Sequence, residues 1–276
     1  MERRRRSNIH HPELLDLPWE GRTRRCLLWQ PEGGGPFPLL VGLHGTGGTP
    51  RLMARFSNLP HAALERGWAL ALPAALGAHG QEDPATGAAW NVGPGLGHPA
   101  FNDVDDTGFL KALPDLLKLP PSPTFLAGFS NGARMGWRLL LEGDAPYAGY
   151  ALLSGAPNGP IPARVRRQPV ALFHGLHDHH IPYAGGVGTQ GRKVACEPAP
   201  ENAHRLALAM GLDPKPRRRL QGAHTWDRYG EDVHLWSLDQ GHAWPGGRKY
   251  GPDADEPAAD VDASAWILDF FKERLP

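Results

Sequence analysis

A tight turn between a strand and a helix is the feature that most constrains the fold. The segment Thr124–Phe129 is short and apolar, as a strand buried in a sheet would be. The sequence Gly128-Phe129-Ser130-Asn131-Gly132 follows its end, and residues 131–141 have a helix-compatible pattern. The glycines remove side chains that would clash in such a turn. This unit predicts a buried strand with a helix packed directly after it.

The same alternation continues along the chain. Apolar runs predict further strands at 24–29, 39–43, 68–72, 149–153, 169–173 and 233–238. Helical patterns occupy 57–66, 103–118, 202–210 and 262–272, with Pro114 expected to kink or end its helix. Alternating strands and helices predict a mainly parallel central sheet flanked by helices. Residues 73–101 are predicted to be a long loop, and residues 183–200 an irregular insertion.

The length of 276 residues suits one domain, expected over residues 23–276. Residues 1–22 are polar, without a clear period, and we expect them to be poorly ordered. Arg3, Arg4, Arg5 and Arg6 stand in this segment and are expected to be a solvated end rather than a binding arm.

Composition narrows the possible partners. The 29 Lys and Arg residues balance 29 Asp and Glu residues, so we expect no general attraction to nucleic acid or to anionic membranes. No apolar run is long enough to span a bilayer, and no export signal is evident. Two cysteines, Cys26 and Cys196, do not imply a disulfide framework. The expected compartment is the cytoplasm.

Ser130 is the candidate nucleophile. A serine held at the carboxyl end of a strand projects from the sheet, and the helix that follows favours negative charge near its oxygen. Glycines flank a serine in this way in about 0.1 places per chain of this composition by chance, so the strand and helix context is needed to support the prediction. The alternative is an ordinary glycine-rich turn with an inert serine.

A candidate acid and base follow Ser130 in the chain. The predicted strand 169–173 leads to Asp178, and the predicted strand 233–238 leads to His242. Parallel strands bring their carboxyl ends to one edge of the sheet, where sites are built. We therefore expect His242 to accept the Ser130 proton and Asp178 to orient the imidazole.

An oxyanion hole requires two backbone N–H donors. Asn131, directly after the candidate nucleophile, is expected to supply one of them. The turn His44-Gly45-Thr46-Gly47-Gly48 follows an earlier strand, and Thr46 or, alternatively, Gly47 is expected to supply the other. These glycines could also serve only to make a turn.

Several motifs together carry a family resemblance. They are Leu43-His44-Gly45, Trp90-Asn91, Asp105-Asp106-Thr107-Gly108-Phe109, Gly128-Phe129-Ser130-Asn131-Gly132-Ala133, His174-Gly175 with Asp178, Ile181-Pro182-Tyr183, Gly185-Gly186 and Gly241-His242-Ala243-Trp244-Pro245-Gly246. In these motifs the chain resembles the polyhydroxybutyrate depolymerase and feruloyl esterase-like group of α/β-hydrolase serine esterases. The last motif is the most specific.

The resemblance implies the α/β-hydrolase fold and hydrolysis of small-molecule carboxylic esters through an acyl-enzyme, without a cofactor or metal. It implies the triad Ser130, Asp178 and His242, and a structural role for Asp106. The chain departs from many members of the group, since it shows no export signal, few cysteines and no polymer-binding module. We therefore expect small or medium esters as substrates, with polyester or feruloyl ester hydrolysis as the alternatives.

Two other functions remain open from the residues alone. The cluster from His174 to His180 (His174, His177, Asp178, His179 and His180) could ligate zinc in a metal-dependent hydrolase. It lacks an organised ligand spacing, and adjacent histidines point to opposite sides of an extended chain. A binding protein on a hydrolase scaffold would require a missing triad member.

Tryptophans near the motifs are candidate pocket walls. Trp90 and Trp244 adjoin motif loops and are expected to bind substrate, with Trp226 a weaker candidate. The alternative for each is core packing, the commoner position of tryptophan. The predicted loop over 73–101 carries Trp90 and is expected to cover the pocket.

Overall fold

A central sheet organises the chain in the computed structural model, which describes residues 11–77, 88–94, 104–191 and 193–275. Within these ranges the sheet has ten strands. The strands are β1 Glu13–Trp19, β2 Arg22–Trp29, β3 Leu39–Leu43, β4 Ala69–Pro73, β5 Thr124–Phe129, β6 Tyr150–Leu153, β7 Val170–Gly175, β10 Arg217–Gln221, β11 His224–Tyr229 and β12 Val233–Leu238. A separate hairpin pairs β8 Gly186–Val187 with β9 Ala195–Cys196.

The strand order is β1-β2-β4-β3-β5-β6-β7-β12-β11-β10. Neighbours from β4 through β12 pair in parallel, whereas β1, β2, β10 and β11 pair antiparallel at the two sides. The predicted mainly parallel sheet is therefore confirmed. Every residue of β3, β4, β5, β6, β7 and β12 is buried, because helices cover both faces of this central part.

The helices are α1 Pro50–Ser57, α2 Leu59–Glu65, α3 Asp106–Leu116, α4 Asn131–Glu142, α5 Ala199–Ala209 and α6 Ala263–Lys272. Side chains cap three of their N-termini, since Thr49, Asp105 and Asp262 accept backbone N–H bonds from the first turns of α1, α3 and α6. α3 ends just past Pro114, as the missing N–H of proline favours.

The structure differs from the predictions about these elements in three places. The helix predicted over 57–66 corresponds to α2, whereas α1 was not predicted; Asn58, with a left-handed φ of 60°, divides the two helices. The segment 1–22 was expected to be poorly ordered, yet its residues 13–19 form β1 and pair with β2 over seven residues. The pairing of β10 with β11 was not predicted.

Some of the predictions fall on residues outside the described ranges and are not tested by the structure. These are the run Arg3–Arg6 and, within the predicted loop 73–101, residues 78–87 and 95–101. No helix in the described part of the chain combines the length and hydrophobicity needed to cross a lipid bilayer.

Candidate active site

Ser130 occupies the sharp turn between β5 and α4. Its backbone has φ 55° and ψ −114°, a conformation that costs about 1–3 kcal/mol for a residue with a side chain. The turn is held by the Ser130 N–H, which donates to the Leu153 carbonyl at 2.9 Å. Ser130 is the N-cap of α4, but its hydroxyl makes no capping hydrogen bond. The hydroxyl therefore remains available at the partly exposed surface of the turn.

Close backbone approach explains the glycines on both sides of Ser130. A Cβ atom at Gly132 would collide with the carbonyl groups of Leu43 and His44 at the end of β3. A Cβ atom at Gly128 would collide with the backbone of Gly132 itself. Glycine at both positions thus lets the turn lie directly against the end of the neighbouring strand.

His242 and Asp178 meet at the carboxyl edge of the sheet, after β12 and β7. His242 Nδ1 donates to Asp178 Oδ2 at 2.7 Å, because an ionised carboxylate can only accept. The Nε2 atom of His242 is therefore left as the acceptor. Asp255 Oδ2 holds the His242 backbone N–H at 2.6 Å and fixes the loop that carries the ring.

The environment of Asp178 keeps its carboxylate charged. Burial alone would raise the pKa of Asp178, but the hydrogen bond from His242 and the backbone N–H groups hold it below its ordinary value. Asp178 Oδ1 accepts the N–H groups of His180 and Ile181, both at 2.8 Å. These bonds orient the carboxylate toward the imidazole.

Two backbone N–H groups beside Ser130 have no partner among the described residues. Asn131 begins α4, where the first N–H groups have no intrahelical acceptor. Thr46 lies in the turn after β3, and a Cβ atom on neighbouring Gly45 would lie 3.1 Å from Ser130 Cβ. The Gly47 N–H already donates to the Ala88 carbonyl at 2.9 Å. Of the two alternatives from the sequence, this geometry favours Thr46.

Hydrogen bonds hold the segment 88–94 against Asn131 and against the turn formed by residues 44–48. The Asn131 side chain accepts the Trp90 N–H at 2.6 Å and donates to the Trp90 carbonyl at 3.3 Å. The Trp90 indole donates to the His44 carbonyl at 3.0 Å. His44 is buried, which lowers its pKa to about 4, so the ring is neutral and accepts the Ala75 N–H at 3.1 Å. These bonds set the position of the 44–48 turn.

A cavity of about 420 Å³ opens onto Ser130 and His242, within the range of small-molecule sites. Phe56, Phe129 and Tyr250 form an aromatic wall, with ring centroids 5.5–6.0 Å apart. The other lining residues are Gly45, Thr46, Gly47, Gly48, Leu52, Val92, Asn131, Arg134, His180, Ile181, Gly191 and Val194. Ser130 and His242 are not hydrogen-bonded to each other, as is common before substrate binds.

Neither predicted tryptophan wall lines this cavity. Trp90 and Trp244 are fully buried behind it, each with its indole N–H bonded to a neighbour, His44 O and Ser264 Oγ respectively. Trp226 lies on β11 and stacks on Trp236, also away from the cavity. The prediction that Trp90 and Trp244 contact substrate is therefore corrected: both pack in the core.

Several lining residues were missed from the sequence. Phe56 is the penultimate residue of α1, Tyr250 lies in the loop after His242, and Arg134 lies one turn into α4. His180 was weighed only as a metal ligand. Its ring centroid is 4.6 Å from that of His242, and burial is the main cause that lowers its pKa. For Arg134 a signal was present, since a residue four positions after a helix N-cap lies about one turn along the helix from it.

The histidines between 174 and 180 do not converge. His174 donates to the Ile181 carbonyl at 2.7 Å, and exposed His177 bonds Asp239 at 2.7 Å. His180 lies against His242. Within the described ranges, no three His, Cys, Asp or Glu side chains are grouped as metal ligands would be.

The sequence matches no protein-family model. It is 28% identical over 260 residues to "Putative esterase NocK" of Nocardia uniformis subsp. tsuyamanensis, with 82% of this chain and 72% of that protein covered. The structure is similar to the crystal structure of native sOPH, with a TM-score of 0.63, 18% identity, and coverage of 96% and 87% of the two chains. Acetyl xylan esterase from Aspergillus awamori gives a TM-score of 0.57, 15% identity, and coverage of 84% and 94%.

These similarities agree with the architecture of the sheet. The parallel centre of the sheet, the antiparallel strands at its sides and the helices on both faces match hydrolases of this fold over most of their length. The chain therefore has the α/β-hydrolase fold.

Proposed function

We propose that this chain is a serine carboxylesterase that hydrolyses small or medium carboxylic esters, with Ser130, His242 and Asp178 as its triad. The observation that carries the proposal is the shared cavity. Ser130 faces it from a strained turn, and His242 enters it with Nδ1 fixed by buried Asp178. The similarity to an esterase sequence and to an esterase structure supports the same class of reaction.

The reaction then has two halves. Ser130 Oγ attacks the ester carbonyl carbon while its proton passes to His242 Nε2. The carbonyl oxygen becomes an oxyanion at the N–H groups of Asn131 and Thr46. The carbon–oxygen bond to the alcohol breaks, and His242 returns the proton to the alcohol. Water then attacks the acyl-enzyme by the same route and releases the acid and Ser130.

The first test is the loss of the nucleophile. Ser130→Ala should lower kcat by about 10³-fold or more, because triad residues act as a unit. Ser122→Ala is the matched control, since Ser122 lies before β5, at the opposite edge of the sheet, and should retain full activity. A phosphonate reagent should label Ser130 alone by mass spectrometry. Near wild-type turnover in Ser130→Ala would refute the mechanism.

Two controls separate the alternatives. Dialysis against a chelator should leave the rate unchanged, whereas loss with rescue by zinc would favour the cluster from His174 to His180. A series of esters of increasing acyl length should gain about 0.8 kcal/mol of binding per methylene until the cavity is full. Clearing of a polyester film, or a preference that continues to rise through long chains, would favour the polyhydroxybutyrate depolymerase-like alternative.

A further inference from the structure

Arg134 brings a positive charge into the wall of the cavity. It lies on α4 four residues after the N-cap Ser130, its backbone N–H donates to the Ser130 carbonyl at 3.0 Å, and both residues line the cavity. The Cα atoms of the two residues are thus separated by about one helical turn, roughly 6 Å along the axis. The Arg134 side chain can therefore reach a substrate group a few atoms away from the reacting carbonyl.

The Arg134 guanidinium has no anionic partner among the residues that the structure describes. The residue is 7% exposed, and its hydrogen bond within the protein is a long one, from Nη1 to the Ala156 carbonyl at 3.5 Å. The carboxylate that influences it, Asp178, already bonds His242 and two backbone N–H groups. Burial raises the pKa of nearby Cys196, so its thiol supplies no charge at neutral pH.

This placement is electrostatically unfavourable in the absence of an anion. Arg134 lies one turn from the N-terminus of α4, and the N-terminus of a helix disfavours positive charge nearby. A largely buried cation without a counterion also loses part of its hydration, and the protein returns one long hydrogen bond, to the Ala156 carbonyl. Burial lowers the pKa of the Arg134 guanidinium, but a guanidinium stays charged at neutral pH rather than releasing its proton. Its remaining N–H groups are a planar set of donors that suits a carboxylate.

We propose that Arg134 binds a carboxylate carried by the substrate, so that the preferred substrates are acidic esters. The inference rests on the proposed ester hydrolysis and specifies its substrate class. The carboxylate belongs either to the acyl part, as in a half-ester of a short dicarboxylic acid, or to the alcohol part, as in an acylated hydroxy acid. Val92 and Val194, which also line the cavity, would contact the short carbon chain between the two groups.

The test compares isosteric charged and neutral esters. For the acyl side, monoethyl succinate is compared with ethyl succinamate; for the alcohol side, 3-acetoxypropanoate is compared with 3-acetoxypropanamide. Wild-type kcat/KM should favour the acid of one pair by about 10- to 100-fold, the value of hydrogen bonds to a charged group. Arg134→Gln should remove most of that ratio, and Arg134→Lys should keep part of it.

The control is Arg205→Gln, which removes an exposed arginine paired with Glu201 on α5 and should leave the ratio unchanged. Binding is measured independently of turnover, by calorimetry of monoethyl succinate and 3-acetoxypropanoate with Ser130→Ala. The preferred ester should bind, and adding Arg134→Gln should weaken that binding by a similar factor. Thermal unfolding confirms that each variant is folded.

The outcomes distinguish the two proposals. Hydrolysis of neutral and acidic esters with equal kcat/KM would overturn the role of Arg134 and leave the esterase proposal standing. An acid preference that survives in Arg134→Gln would also overturn it. Failure of wild-type protein to hydrolyse any of the four esters, or p-nitrophenyl esters, would instead refute the proposed function.

Discussion

Two buried arginines in this protein have opposite surroundings. Arg24 on β2 is 1% exposed, bonds Asp106 at 2.7 Å and the Ala74 carbonyl at 3.2 Å, and lies 4.1 Å from the centroid of Phe109. Arg134 is 7% exposed and, in the described part of the chain, has no such carboxylate. The comparison separates a charge that the fold neutralises internally from one that remains available to a ligand.

The role of Arg24 is to connect elements that are distant in sequence. Its partner Asp106 begins α3 and also accepts the Asn91 N–H at 2.7 Å. One carboxylate thus joins β2, α3 and the segment 88–94 behind the candidate oxyanion turn. This geometry agrees with the structural role that the resemblance implied for Asp106.

The largest expected effect on stability is at the ion pair of Arg24 with Asp106. Arg24→Met should lower the free energy of unfolding by about 3–5 kcal/mol, because it leaves the Asp106 carboxylate buried without its cation. The measurement is urea unfolding at pH 7. Adding Asp106→Asn, which keeps an acceptor for Asn91, should restore much of the loss. A cost below about 1 kcal/mol for Arg24→Met would remove the contrast with Arg134.

A buried histidine, His234, avoids the cost of a buried charge in another way, because its ring is neutral. His234 lies among Trp226, Trp266 and Phe270, and within the described residues neither of its ring nitrogens has a hydrogen-bond partner. Burial, with the charges of Arg274 and Arg228, lowers its pKa from 6.5 to about 3. Because the unfolded chain takes up this proton first, the contribution of His234 to stability is present above pH 6.5 and is lost progressively as pH falls toward 3.

The variant His234→Phe should therefore flatten the acid dependence. Between pH 7 and pH 5 the wild-type protein should lose about 2 kcal/mol more unfolding free energy than the variant. The same unfolding experiment at each pH gives this difference. Parallel pH profiles for the two proteins would show that His234 does not titrate as its surroundings indicate.

The smallest effect on stability is expected at Arg134, which has no carboxylate partner among the described residues. Arg134→Met should change the unfolding free energy by less than about 1 kcal/mol, or raise it. The variant removes a buried charge and leaves no oppositely charged group buried without a partner. Urea unfolding of the variant beside Arg24→Met is the measurement. A loss as large as that of Arg24→Met would mean that the fold itself uses the Arg134 charge.

Prediction from sequence succeeded where local pattern and packing agree. Segments such as Thr124–Phe129 are buried on both faces and therefore apolar throughout, which makes them visible in sequence. β1 and β10 lie at the edges of the sheet, and β10 is exposed at every residue. The polar sequence of β10 and the mixed, proline-containing sequence of β1 carry no such signal. The division of α1 from α2 depends on one backbone angle at Asn58.

The residues of the candidate site likewise fall into those that the sequence predicts and those that it does not. Ser130, Asp178 and His242 could be placed because each follows a strand whose end is fixed by the sheet. The cavity walls could not, since Phe56 and Tyr250 come from segments whose meeting depends on tertiary packing. The tryptophan predictions failed because closeness to a motif in sequence does not determine which way a ring points.

The exposed edge strand β10 bears on how the protein behaves when concentrated. An open strand offers unpaired N–H and C=O groups to any other chain, which is the usual beginning of sheet-to-sheet aggregation. Here β10 carries exposed Arg217 and Arg219, the latter with its guanidinium over the Trp226 ring, while Arg218 is paired with Asp227. A second copy approaching edge to edge would bring like charges together. The arginines thus act as a repulsive border that salt would weaken, so colloidal stability should depend on ionic strength even in a chain of zero net charge.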